Sequence, residues 1–421
     1  MSVFFSLVSL LLIFGVIVGF WGLQSSKKNV PIPKKDGILY IKMEGSLVED
    51  KTSFYSDKSE VILHQVYEIL NRAIDDERIV GLVIKFDNFY GQFGDISELC
   101  NCLENFKGKG KFITCYSDCY GAGAYLLASI ANEIILSPAG GISYLGFSSS
   151  NLYKKDFFDK IGIRYEVFKV GEYKSASEPY TSNSMSNEDR QQRKELLEGW
   201  DQFYVSSIAK NRNLLFDEAK NNLDKIGFKS AIALQKENFV TKIEHFHFHK
   251  YMENLSQEGK KYKIVKAKDY WRDLEKSKKN KNKNKIVILP LVGIISSDKK
   301  DLNSKKIRGI LTQIKKDRSV QAVVLKIDSP GGDVIESENL YEEIKNLNQI
   351  VPTVTYIANC AASGGYYISN GCDTMIANPT CVTGSIGIFG MFLKLTKLRD
   401  KLGLTLDCVK TSPHADLGIW R

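Results

Sequence analysis

The residues best suited to chemistry lie between Cys360 and Gly390, in CAASGGYYISNGCDTMIANPTCVTGSIGIFG. Ser363 stands between two alanines and two glycines, and an apolar run, Tyr366-Tyr367-Ile368, follows. Small residues on both sides of a hydroxyl let the backbone turn tightly and a substrate approach closely. A helix starting at this turn would aim the Gly364 amide at whatever Ser363 attacks, and the helix dipole would favour negative charge there. Upstream, the apolar stretch Val323–Ile327 leads into Asp328-Ser329-Pro330-Gly331-Gly332-Asp333, a strand ending in a glycine-rich loop with further open amides. The pattern fits a nucleophile and an oxyanion cradle; the missing part is a base.

The elements that must position these residues alternate along the chain. Ile38–Met43, Val80–Phe86 and Phe112–Tyr116 read as strands. Val61–Ile74 reads as a helix, with Ile62, Val66, Ile69, Leu70 and Ala73 on one face. This order predicts an α/β domain with a largely parallel sheet. It then recurs as a strand at Ile286–Leu291, a helix at Ile307–Ile314 and a buried strand at Val323–Ile327. Asp87 falls on Asp328, Cys119 on Cys360, Tyr125 on Tyr366 and Gly162 on Gly403, all at an offset of 241. One register held that far predicts a tandem duplication. The expected division is 1–36 as anchor and linker, 37–275 as first repeat, 276–285 as a solvated Lys/Asn linker and 286–421 as second repeat.

The repeat is most informative where it fails. Ser363 falls on Ala122 of the first half, and Lys174, in Gly171-Glu172-Tyr173-Lys174-Ser175, falls on Ala415 of the second. Each half lacks what the other carries, as expected of a Ser-Lys dyad split between them. A lysine out of water loses its charge more easily and then takes the serine proton. A rival triad, Ser363–His414–Asp416, has poor geometry, because residues two apart on an extended segment lie side by side. His245, His247 and His249 would line one face of a strand; that pattern fits an ordinary exposed strand better than a metal site.

Composition sets the class. The 421 residues are 43% hydrophobic and 25% charged, with a net charge of +9, which fits a globular chain of two or three domains. Many of the lysines sit in the stretch after residue 23 and in the linker, a pattern of solvated faces or anionic lipid contact rather than of a nucleic-acid groove. Val3–Leu23 holds no charge over 21 positions, enough for a single membrane anchor. Lys27, Lys28, Lys34 and Lys35 follow it, which by the positive-inside rule places the body in the cytoplasm. The eight cysteines have no paired CxxC spacing, which argues against a structural zinc site; small core thiols and disulfides both stay open at this level.

With VGEYKSASEPY (Val170–Tyr180), DSPGGD (Asp328–Asp333), AASGGYY (Ala361–Tyr367) and TGSIGIFG (Thr383–Gly390), the chain resembles the long form of the signal peptide peptidase A (protease IV) family, peptidase family S49. The resemblance implies a Clp-protease/crotonase-like fold in both halves, Ser363 as nucleophile and Lys174 as general base. It also implies oxyanion amides from Gly332 and Gly364, with Ser385 orienting the lysine amine. Neither cofactor nor metal is implied. The family's substrates are remnant signal peptides, its chains assemble as four, and its body lies on the periplasmic side of the inner membrane; that placement is preferred over the lysine flank. Two rivals stand beside this reading: an acyl-CoA enzyme of crotonase type, which acyl-CoA binding would reveal, and a non-catalytic membrane scaffold, which would not form a compact oligomer. Arg421 falls on position 180 of the first half, which continues through the amphipathic stretch Asp189–Arg212. The second repeat therefore reads as C-terminally truncated, with an exposed apolar sheet face expected.

Overall fold

The computed structural model describes residues 32–49, 59–245, 247, 250, 251, 253, 262–277, 284–298 and 302–416. The expected anchor at 3–23 and most of the linker, 278–283, lie outside them. Among the described residues no helix is long and apolar enough to cross a membrane.

The chain folds as a mixed α/β protein around two large parallel sheets. The first half contributes β1 (Gly37–Val48), β2 (Glu60–Ile62), β3 (Ile79–Tyr90), β4 (Phe112–Ser117), β5 (Glu133–Leu136), β6 (Arg164–Lys169), β7 (Lys242–Ile243) and β8 (Lys263–Lys266). All but β6 form one seven-stranded sheet, ordered β8-β1-β3-β4-β5-β7, with β2 also on β1. The second half contributes β9 (Lys285–Val292), β10 (Val320–Ser329), β11 (Thr353–Ala362), β12 (Thr374–Ala377), β13 (Val382–Gly384) and β14 (Phe389–Lys394). There the order is β9-β10-β11-β12, with β13 also on β11. Strands buried on both faces need covering helices. These are α1 (Leu63–Asp75), α2 (Phe93–Gly108), α3 (Ala122–Ser129) and α4 (Asn187–Arg212), then α5 (Ser304–Lys316), α6 (Val334–Asn348) and α7 (Gly364–Ser369). Helix α1 buries Leu63, Val66, Ile69, Leu70 and Ala73, the face read from the sequence displaced by one position at its start.

Element starts repeat at the offset seen in the sequence. β3 and β10 begin at 79 and 320, α2 and α6 at 93 and 334, and β5 and β12 at 133 and 374. The correspondence extends to short helices that begin at 155 and 396. β6 and β14 are not equivalent in the repeat; they pair antiparallel with each other and tie the halves together. The far face of the first sheet is covered: Ile38, Val83, Tyr116, Ile135 and Tyr251 pack together, with Tyr262 and Ile264 against them. On the equivalent face of the second sheet Ile286, Ile288 and Ile376 are exposed.

The first half docks on the second through α2. A Cβ on Gly94 would lie 2.2 Å from the Ala358 carbonyl oxygen, so glycine permits this approach. The Asp95 amide donates to Asn359 Oδ1 at 3.1 Å, and Trp200 Nε1 of α4 donates to the Thr380 carbonyl at 2.8 Å. Lys326 of β10, 7% exposed, faces Glu49, Asp95 and Glu98 at 2.8, 3.3 and 3.6 Å. All eight cysteines are free thiols, and Cys102 and Cys115 are buried. Among the described residues no strand holds the histidines: His245 and His247 are exposed and irregular, and His249 lies outside the described residues. Among the described residues no cluster of His, Cys, Asp or Glu is arranged to hold a metal ion.

Candidate active site

Strand β11 runs out at Ala362 and α7 begins at Gly364, which leaves Ser363 at the junction with φ 53° and ψ −118°. A positive φ on a residue other than glycine costs on the order of 1–3 kcal/mol and needs surrounding structure to hold it. Two backbone bonds do so: the Ser363 amide donates to the Gly384 carbonyl, and the Tyr367 amide to the Ser363 carbonyl, each at 2.9 Å. A Cβ on Gly365 would lie 2.3 Å from the Ser329 carbonyl oxygen, so α7 can seat against the end of β10 only with glycine there. The hydroxyl is thereby lifted out of the helix and away from its own backbone.

The glycine-rich loop after β10 closes over this turn. Gly331 has φ +94°, and a Cβ there would lie 2.5 Å from the Gly364 nitrogen. Gly332 bridges to Ile295, whose amide donates to the Gly331 carbonyl at 2.9 Å and whose carbonyl accepts from the Asp333 amide at 2.9 Å. Among the described residues the amides of Gly332 and Gly364 have no acceptor. A Cβ built on Gly364 would lie 3.3 Å from the Gly332 nitrogen, so both donors border the same small space beside Ser363. Two open amides next to a hydroxyl are the geometry needed to receive an oxyanion.

Lys174 enters from the first half. Its side chain is 4% exposed, and Nζ lies 3.1 Å from Ser363 Oγ, 2.6 Å from the Ser385 carbonyl and 3.1 Å from Ser385 Oγ. All three partners are neutral oxygens, and burial pushes the amine below the ordinary lysine range. Ser385 (φ +49°), Gly384 (φ +92°) and Gly387 (φ +113°) bend the loop between β13 and β14 so that both Ser385 oxygens face the amine. From the other side, the Val170 amide donates to the Ile388 carbonyl at 3.1 Å. The structure thus brings Ser363, Lys174 and Ser385 together, with Gly332 and Gly364 beside them. His414 is exposed and Asp416 pairs with Lys410, while the Ser363 hydroxyl lies against the lysine.

Sequence reasoning missed Asp189, which is 1% exposed and accepts from Ser175 Oγ, Gln192 and Arg193 behind the lysine. The available signal was the Ser186-x-x-Asp189 cap at the start of α4, beyond the end of the Val170–Tyr180 motif it supports.

A hydroxyl on a strained turn, a buried amine with a lowered pKa beside it and paired open amides form the constellation of a serine peptidase. The chain belongs to peptidase family S49, whose model matches residues 105–258 and 345–421, ranges that include Lys174 and Ser363. It is 32% identical to Protease 4 of Haemophilus influenzae over 95% of this chain and 70% of that protein. It is 27% identical to the chloroplastic serine protease SPPA of Arabidopsis thaliana over 91% of this chain and 58% of that protein. The chain therefore spans between about three-fifths and seven-tenths of the length of these relatives. Among solved structures, the ClpP protease catalytic domain from Plasmodium falciparum aligns with 50% of this chain and 86% of its own, at 10% identity and a TM-score of 0.29.

Proposed function

We propose that this chain is a membrane-anchored serine endopeptidase working through a Ser363–Lys174 dyad. The observation that carries the reading is the 3.1 Å approach of a buried amine, without a counter-charge among its partners, to Ser363 Oγ. Neutral Lys174 takes the Ser363 proton as Oγ attacks the scissile carbonyl carbon. The carbonyl electrons move to oxygen, where the Gly332 and Gly364 amides receive the charge. The tetrahedral intermediate then collapses to an acyl-enzyme as the protonated lysine gives its proton to the leaving amine. Water, deprotonated by Lys174, releases the acyl group. Ser385 holds the amine against Ser363 throughout, and neither metal nor cofactor enters any step.

The substrate class in this reading is cleaved signal peptides and similar apolar segments. Val334 and Ile335 follow the oxyanion loop, Ile386 and Ile388 follow Ser385, and Val170 precedes the lysine loop; all are exposed, an apolar rim suited to such chains. The two halves are read as tandem Clp-protease/crotonase-like repeats, supported by the shared offset of their elements. Residues 3–23 would anchor the chain in the inner membrane with the body on the periplasmic side, and four copies would assemble. The test is labelling of the full chain in detergent with a fluorophosphonate. Labelling lost in both Ser363→Ala and Lys174→Ala supports the dyad; labelling that persists in Lys174→Ala refutes it.

A further inference from the structure

Lys174 is carried by an irregular segment, not by a strand or helix. Proton transfer nevertheless needs its amine fixed to a fraction of an ångström, which rigid support must supply. Both of its neighbours are tied to the first turns of α4. Ser175 Oγ donates to Asp189 Oδ1 at 2.6 Å. Gln192 Nε2 lies within hydrogen-bond distance of the Tyr173 carbonyl, Ser175 Oγ and Asp189 Oδ1, at 3.3, 3.1 and 2.9 Å. Arg193 Nε donates to the other Asp189 oxygen at 2.8 Å. The Asp189 amide donates to Ser186 Oγ at 3.1 Å, and that hydroxyl donates to Glu178 Oε1 at 2.7 Å. Residues 173 to 193 thus close into one hydrogen-bonded loop with the lysine at its inner edge.

We infer that Asp189 is a positioning residue for the peptidase reaction, clamping the Tyr173–Ser175 backbone to α4 with Gln192 and so setting where the Lys174 amine meets Ser363. The inference rests on the dyad reading above. Asp189 acts through Ser175 and the backbone, since Lys174 Nζ itself bonds to Ser363 and Ser385. Its charge is met locally: burial raises the carboxyl, but the hydrogen bonds from Ser175, Arg193 and Gln192 outweigh it and hold the group below the usual range. The effect on Lys174 is therefore geometric. A lysine released from the clamp would gain water, and its pKa would climb back toward the free value.

The test is the rate of fluorophosphonate labelling across pH, on the full chain in detergent, for wild type, Ser363→Ala, Asp189→Asn, Gln192→Ala, Ser175→Ala and Ser175→Thr. Wild type labels and Ser363→Ala does not. Ser175→Ala and Gln192→Ala each remove one link while leaving the Asp189–Arg193 pair, so they remain informative should Asp189→Asn fail to fold. Both are expected to label about tenfold to a hundredfold more slowly, with the pH midpoint moved upward, as misplacement of a catalytic group predicts. Ser175→Thr keeps the hydroxyl and restores the rate. Unchanged rates and midpoints in Ser175→Ala and Gln192→Ala overturn the clamp and leave the dyad intact; a wild type that does not label overturns both.

Discussion

At the scale of single residues, the proposed chemistry depends on the free amine of Lys174. Its pKa is lowered by burial, so the neutral, proton-accepting form gains as pH rises through a midpoint below that of free lysine. The rate of acylation is expected to climb over that interval and then level off; a profile flat from mildly acidic to alkaline pH contradicts a lysine base. The same shift has a stability sign. The folded chain binds fewer protons than the unfolded one between the lowered and ordinary lysine values, so stability from this group increases with pH across that window. Ser385→Ala removes one of the two Ser385 oxygens from the amine but keeps the carbonyl at 2.6 Å. A loss of about tenfold in kcat with KM little changed is expected, the signature of a group that orients rather than binds.

Among the elements, the glycine loop after β10 and the turn into α7 act as one unit. Gly332 cannot take a side chain in place, because its Cβ would meet the Ile295 carbonyl oxygen at 2.1 Å, and that carbonyl is bonded to the Asp333 amide. In Gly332→Ala the loop must withdraw, and its amide leaves the oxyanion position. The expected loss is about 10²–10³ in kcat, as for removal of one oxyanion donor. Circular dichroism should remain close to wild type, since β10 and α6 keep their own cores. Activity that survives would mean that this amide does not face the developing charge.

In the whole molecule, the proposed dyad can form only while the halves stay docked, since Lys174 and Ser363 come from different halves. Lys326 lies at that junction. Burial opposes its charge, but the carboxylates of Glu98, Asp95 and Glu49 outweigh it and hold the amine above its usual range. Burial also raises Asp95 and Glu98, with Lys326 pulling each part of the way back. Lys326→Met leaves these acids facing one another, and breaking such a buried cluster costs on the order of 3–5 kcal/mol. The sign with pH follows from the raised carboxyls, which bind protons more readily folded than unfolded. The deficit should widen as pH rises through and above the ordinary carboxylate range, and shrink in acid. Thermal melting at a neutral and an acidic pH measures it; equal deficits at both would show that the cluster is not electrostatic.

The sequence by itself determined what is local or periodic. The apolar stripe of α1, the buried run of β10 and the small residues around Ser363 are written in neighbouring positions, and the offset of 241 placed Ser363 opposite Ala122 and Lys174 opposite Ala415. Those patterns predicted the elements, the parallel sheets and a nucleophile and base from different halves. Tertiary structure alone decided the rest. Whether Lys174 reaches Ser363 depends on the α2 docking contacts, the β6–β14 ribbon and the positive-φ turns at Ser385 and Gly387, all formed by residues far apart in sequence. Asp189 stayed hidden for the same reason. A buried carboxylate is recognised by what surrounds it, and its partners come together only when α4 folds back over the lysine loop.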